Sequence, residues 1–436
     1  MGRVKFTFSL KDYKNIDMQG KLLPATLSYG YVDEAKFEKL LKKNNDNSVE
    51  ESFEELKQRM SDEYFRNVLL AQSNALDYAS LHFPAYSMLI SEDLNEDWLA
   101  IVDFHKKHLR DHSLHQPLTA YIAAALLGYG DSNESLEIPS SPGNLLDFCV
   151  DVIFTSDDAS YIRKEAVSYG LPSNMFEDNP ASREFWKNLF YNTVVLSAYF
   201  HDIGYPWQYL DRIESNLGNA VDVLNPLDDV IARILDGFDG RMILLPLNHY
   251  ISDKTRECLE ERKEIRHLAN EAIKTHGFPG AIAFLSLHDS IKKIATGDAM
   301  AKLKEFSIEW AAMGILMHDM AGVHKKSYPK LKLNILQDPL STIVALSDYL
   351  EEFNRPKVSF CSGNDRSMIS YCCDCSQVEL ESDVNCGTLT VKMTYEKDSN
   401  KAIVACFKND ETKDYFNPGS GYLDLSPMGI RKVICE

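Results

Sequence analysis

Apolar positions recur along most of the chain at spacings of three and four, the pattern of helices that bury one face. Glu34 to about Leu70 reads as helix, broken by the polar run Asn44 to Ser48, and its heavy charge marks a solvated face. In the region Asn95–Gly128, Trp98, Ile101, Val102 and His105 share one helical face. Pro117 then ends or kinks that helix, or begins a second one, and Leu118–Leu127 is apolar nearly all round, which predicts burial. Ser182–Phe200 is a further apolar helix that runs into His201-Asp202 and is stopped by Gly204 and Pro206. Asp211–Lys274 reads as helix with breaks at Asn225-Pro226 and Leu245-Pro246, and Lys274–Ile294 and Ser307–Val323 read as apolar helices. The last helix opens at Asp338-Pro339, an N-cap followed by a proline at the first helical position, and runs to about Asn354 before Pro356.

A second pattern, strict alternation, marks strands. It occurs at Val4–Leu10, Val378–Glu381, Thr388–Met393 and Ala402–Ala405. Residues 129–180 fit neither pattern, because Gly, Ser, Asp, Asn and Pro cluster at both ends, and the segment reads as an insertion or lid. The expected fold is therefore mainly α: an N-terminal extension over 1–100, a helical bundle over 101–356 and a small β-rich region over 357–436.

Composition narrows the possible partners. The chain of 436 residues is 44% hydrophobic and 25% charged, as in globular proteins, and no apolar run approaches the ~20 residues of a membrane helix. A formal charge of −19 repels polyanions, which argues against long nucleic acid and anionic membrane while leaving room for a small nucleotide. The start MGRVKFTFSLKDYK lacks a secretory pattern, so the nine cysteines are expected to be reduced and the location cytoplasmic.

The candidate chemistry lies where ionisable residues interrupt buried helices. His115, His201 with Asp202, His276, His318 and Asp348 each adjoin an apolar run. Buried groups on separate helices with no local partner point to convergence on a cation, for which imidazole and carboxylate are common ligands. Asp338 reads as a cap alone and His288-Asp289 as a surface pair.

The ordered set of RDHSLH around His115, FHDIGYPW around His201-Asp202, HGFPGAIAF after His276 and QDPLSTIVALSDYLEEFNRP around Asp348 resembles the HD-domain metal-dependent phosphohydrolase superfamily over about residues 103–356. The resemblance implies an all-α bundle with His115, His201, Asp202 and Asp348 at a primary metal site. Asp202 is then the bridge to a second ion held by His276 and His318. His112 competes with His115 for the first position, and Arg110, five residues ahead of His115, favours His115. Arg110 is the candidate phosphate clamp, and His112, His324 and Lys325 are further candidates for substrate contact. The implied cofactor is one or two divalent ions among Mn, Fe, Mg, Zn, Ni and Co, and the implied catalytic residues are Asp202, Arg110, His276 and His318. The implied reaction is attack of metal-activated hydroxide on a nucleoside or deoxynucleoside triphosphate, with a cyclic mono- or dinucleotide as the alternative. A nucleotide-sensing module without turnover, and a homo-oligomer or larger assembly, complete the expectations. Cys361, Cys372, Cys373, Cys375 and Cys386 include a single Cys-x2-Cys spacing and read as free thiols before they read as a zinc site.

Overall fold

The computed structural model describes residues 4–9, 112–128, 143–202, 204, 275–282, 284–285, 298–326, 331–352, 356–360, 368–372, 375–383, 385–395, 412–417 and 420–435. The helices read over 34–70, 95–110 and 211–274 and the strand read over 402–405 lie outside these residues.

Four helices make the body: α1 (His112–Leu126), α4 (Pro180–Phe200), α5 (Asp298–His318) and α7 (Pro339–Leu350). Every pair among α1, α4 and α7 is in contact, and α5 packs on α4 and α7. α1 starts at His112 and carries Pro117 inside it instead of starting or stopping there. Helix α4 begins as its sequence directs: Asn179 accepts from the Ser182 N–H at 2.9 Å, and Pro180 occupies the first turn. Its later turns are buried on several faces, from Trp186 through Ala198, so it is the central helix. Rings of Trp186, Phe306 and Trp310 pack at 5.5–6.2 Å between α4 and α5. Gly314 sets the closeness of this crossing. A Cβ there would lie 2.4 Å from both Leu340 Cδ2 and Ser197 Oγ, so only glycine lets α5 approach α4 and α7 together.

The segment read as an insertion or lid over 129–180 is helical and packed in its described part. Residues 145–168 form α2 (Leu145–Thr155) and α3 (Ser160–Ser168), and Cys149, Val150, Ile153, Ile162 and Ala166 are fully buried. At the borders of this pair Asn144 caps α2, and Pro172 leads into a 3-10 turn at Ser173–Phe176. Short helix α6 (Ala321–Lys326) follows α5 directly.

The β-rich part is also as expected in kind. Strands β5 (Cys375–Asp383) and β6 (Thr388–Tyr395) pair antiparallel, with Leu389, Val391 and Met393 facing inward. The N-terminal strand β1 (Val4–Ser9) pairs antiparallel with β5, Phe6 opposite Leu380, and β8 (Lys432–Cys435) pairs parallel with β6. The sheet order is β1-β5-β6-β8, so both ends of the chain share one sheet. A hairpin of β3 (Pro356–Phe360) and β4 (Met368–Cys372) lies between α7 and that sheet in sequence.

Contacts also cross the expected boundary at 356. β2 (Leu333–Asn334) pairs with β7 (Leu423–Asp424), Tyr349 shares a 2.6 Å hydrogen bond with Thr412, and the Tyr422 hydroxyl donates to the Met317 carbonyl. Residues 412–425 are thus packed onto the helical body. Among the described residues no helix is long and apolar enough to cross a membrane.

The cap of α7 has a cost. Asp338 accepts from the Ser341 N–H at 3.0 Å but is buried, and burial pushes its carboxyl up to about 6 against the pull of Ser341. The folded state therefore holds this proton more tightly than the unfolded chain, so the stability it contributes is present below pH ~4 and is lost as pH rises through 6. Asp338→Asn keeps the cap acceptor and does not titrate. In thermal unfolding the variant is expected to gain on the wild type between pH 4 and 6 and level off above. A gap between the two that does not change over this range would contradict the assignment. Asp338→Ala is expected to lose about 1 kcal/mol at pH 4.

Candidate metal centre

Six side chains named from the sequence meet in the middle of the bundle. His115 comes from the second turn of α1, and His201 and Asp202 from the end of α4. His276 precedes the helical residues 277–282, His318 is the last residue of α5, and Asp348 lies in the last turn of α7. All six are at most 8% exposed.

The spacing of their ligand atoms is the central observation. His115 Nε2 is 3.1 Å from His201 Nε2, 3.1 Å from Asp348 Oδ1 and 3.3 Å from Asp202 Oδ2. His201 Nε2 is 3.3 Å from Asp202 Oδ1 and 3.5 Å from Asp348 Oδ1. On the other side, His276 Nε2 is 3.0 Å from both Asp202 Oδ1 and His318 Nε2, and His318 Nε2 is 3.5 Å from Asp202 Oδ1. Ligands bound to one ion at about 2.1 Å and 90–109° apart are themselves separated by roughly 3.0–3.4 Å. The cluster has that spacing. His115, His201 and Asp348 make one group able to hold a divalent ion, and His201, Asp202 and His318 make another.

The outer nitrogens fix which way the rings face. His201 Nδ1 donates to the Ala198 carbonyl at 2.7 Å and His318 Nδ1 to the Ile315 carbonyl at 2.6 Å. A carbonyl only accepts, so both protons sit on Nδ1. Burial, outweighing Asp202 and Asp348, lowers the pKa of His201, so it stays neutral with a bare lone pair on Nε2. The remaining two rings are anchored by carboxylates, His115 Nδ1 by Glu351 and His276 Nδ1 by Asp319 at 2.8 Å. Such outer partners orient metal-binding imidazoles and raise their basicity.

Charge points the same way. Asp202, Asp348 and Glu351 are buried and Asp319 is half-buried, so four carboxylates face four imidazoles. Burial alone would raise Asp348, but its contacts with His115 and His201 hold it well below the usual carboxylate range. At His276 burial favours the neutral form, yet Asp319 and Asp202 together outweigh it and hold the ring up to about 9. Near neutral pH His276 thus carries a proton that faces Asp202 and His318. A cation binding there takes the place of that proton.

Two backbones meet at this point. A Cβ on Gly204 would stand 1.9 Å from the His276 carbonyl oxygen and 2.5 Å from Gly280 N. The glycine read from the sequence as a helix stop therefore also lets the segment after Asp202 touch the segment carrying His276.

Glu351 and Asp319 were not among the residues expected at the site. The sequence reading carried α7 on to about Asn354, whereas the helix ends at Leu350 and Glu351 turns to an extended conformation (φ −75°, ψ 109°). That turn brings its carboxylate back to His115. Asp319 follows His318 directly in sequence, and only the fold places it against His276. A signal for Glu351 existed, three residues beyond Asp348 on the same helical side.

The proposed substrate contacts fare differently. His112 opens α1, one turn before His115, and His115 is the one in the cluster. His324 is buried, with Nε2 2.8 Å from the Ser420 carbonyl, and Lys325 pairs with Asp414 at 2.7 Å, so both face residues 412–420. Arg110 lies outside the described residues, as do His288 and Asp289. Among the described cysteines, Cys149 and Cys386 are free thiols. No family model, curated protein or solved structure matches this chain.

Glu351→Ala is expected to weaken divalent-metal affinity by roughly 10–100-fold through the loosened His115 ring. Competition with a chromogenic chelator measures it, Glu351→Gln should recover part of the loss, and less than a threefold change in the alanine variant would count against the role. Loading of the ion beside His276 should also release about one proton per protein at pH 7, falling toward zero above pH 9 as His276 loses its proton beforehand. Titration calorimetry in buffers of different ionisation enthalpy reads this number, and no buffer dependence would contradict it.

Proposed function

We propose that the protein is a divalent-metal-dependent phosphohydrolase acting on a nucleotide. The single observation that carries the reading is the 3.0–3.5 Å spacing of imidazole nitrogens and carboxylate oxygens around Asp202. One oxygen of Asp202 faces His115, and the other is shared among His201, His276 and His318, which is the arrangement of a bridging carboxylate. The ligand order along the chain, His115, His201-Asp202, His276, His318 and Asp348, is that of the HD-domain phosphohydrolases the sequence resembles.

A bound divalent cation supplies Lewis acidity at phosphoryl oxygens and water activation near neutral pH. The chain's residues supply the rest. His115, His201 and Asp348 would hold a first ion, Asp202 would be shared, and His276 with His318 would hold a second. Glu351 and Asp319 keep two of the imidazoles turned inward. Four imidazoles favour Mn, Fe, Co, Ni or Zn over Mg. Nucleoside and deoxynucleoside triphosphates are the leading substrate class. The approach of both His276 and His318 to Asp202 favours a second reading, hydrolysis of a cyclic mono- or dinucleotide, because two ions can stabilise both attacking and leaving oxygens.

A nucleotide panel with Mn2+, resolved by chromatography, tests this. Turnover of at least one nucleotide is expected, with Asp202→Ala and His201→Ala lowering it by 10³-fold or more as order-of-magnitude losses of metal catalysis. Metal-loaded wild-type protein that binds nucleotide but turns none over would overturn the enzyme reading in favour of a sensor module.

A further inference from the structure

A cavity of about 310 Å³ lies away from the metal centre, between residues 412–426 and strand β8. One wall is apolar, with Phe416, Leu423, Leu425 and Ile430 among its residues, all buried. The lining also includes two exposed cations, Arg431 and Lys432. Arg431 and Lys432 are exposed at the start of β8, and the Arg431 stem lies along Gly387. Among the described lining residues Asp424 is the one acid, and it is engaged: its Oδ1 accepts from the Ser426 N–H at 3.0 Å and the Ser426 hydroxyl at 2.6 Å, and Oδ2 lies 3.4 Å from Asn334 Nδ2.

In a chain of net charge −19, the exposed pair Arg431 and Lys432 beside one engaged carboxylate makes a local field opposite to that of the whole molecule. The guanidinium fork of Arg431 matches phosphate oxygens, and the neighbouring Lys432 ammonium adds charge without geometric demand. The volume is at the lower end for small-molecule sites, about 300–1,000 Å³. The wall is held in place by the helical body, since Phe416 packs edge-on against Tyr349 at 4.8 Å and Tyr422 donates to Met317.

We propose that this cavity is a binding site for a small phosphate monoester bearing a flat ring, the ring against Phe416 and Leu423 and the phosphate at Arg431 and Lys432. The site is separate from the metal centre and does not depend on its chemistry. Isothermal titration of the full chain, with and without EDTA, tests it using adenosine monophosphate, adenosine and inorganic phosphate. Adenosine monophosphate is expected to bind at least tenfold more tightly than either of the other two, and equally well in EDTA. The double variant Arg431→Ala/Lys432→Ala, both exposed and remote from the core, is expected to lose that binding tenfold or more with an unchanged melting curve. Binding that survives the double variant, disappears with EDTA, or is matched by inorganic phosphate would overturn the proposal. Loss of hydrolysis alone would leave this result untouched, so the two readings fail separately.

Discussion

Everything in the helical body is arranged around one electrostatic problem, which is that lone pairs and carboxylate oxygens are brought within 3.0–3.5 Å of one another away from water. Such a cluster is costly unless positive charge sits among its members. Protons solve part of it, as the raised pKa of His276 shows. They do not solve it at His201, whose ring is held neutral with its lone pair inward. Two groups within the cluster, His115 with His201 and Asp348, and His201 with Asp202 and His318, have spacings that could hold a divalent ion.

The surrounding fold keeps these groups in place. Each inward imidazole is fixed from behind, two by helix carbonyls and two by carboxylates. Gly204 and Gly314 let the ligand-bearing segments approach closely enough for this, each at a spot where a methyl group would collide with backbone or packed side chains. The helices themselves gain their stability from the aromatic core of Trp186, Phe306 and Trp310, one layer away from the charges. The C-terminal segment buttresses the same helices at Met317 and Tyr349, the residues adjoining His318 and Asp348.

Much of this was legible in the residues. Asn179-Pro180 and Asp338-Pro339 announce their helix starts through local chemistry. The six clustered residues stand out because each is an ionisable group in or beside an apolar run. What was hidden depends on distance or on where a helix stops. Glu351 reaches His115 across 236 positions and only because α7 ends early, and Asp319 looks like any residue after a histidine until His276 is brought to it. Helices α2 and α3 were masked by the polar turns that bound them, although their own residues are mostly apolar on one side. The pairing of β1 with β5 joins the two ends of the chain, and alternation identifies each strand without naming its partner.

Crystals grown with Mn2+ and measured at the manganese absorption edge test the central claim most directly. The account predicts an anomalous peak within about 2.3 Å of His201 Nε2, with Asp202 and at least one of His115 and Asp348 also in its coordination sphere. A map with no peak among these residues, or with manganese bound only elsewhere on the surface, would contradict it.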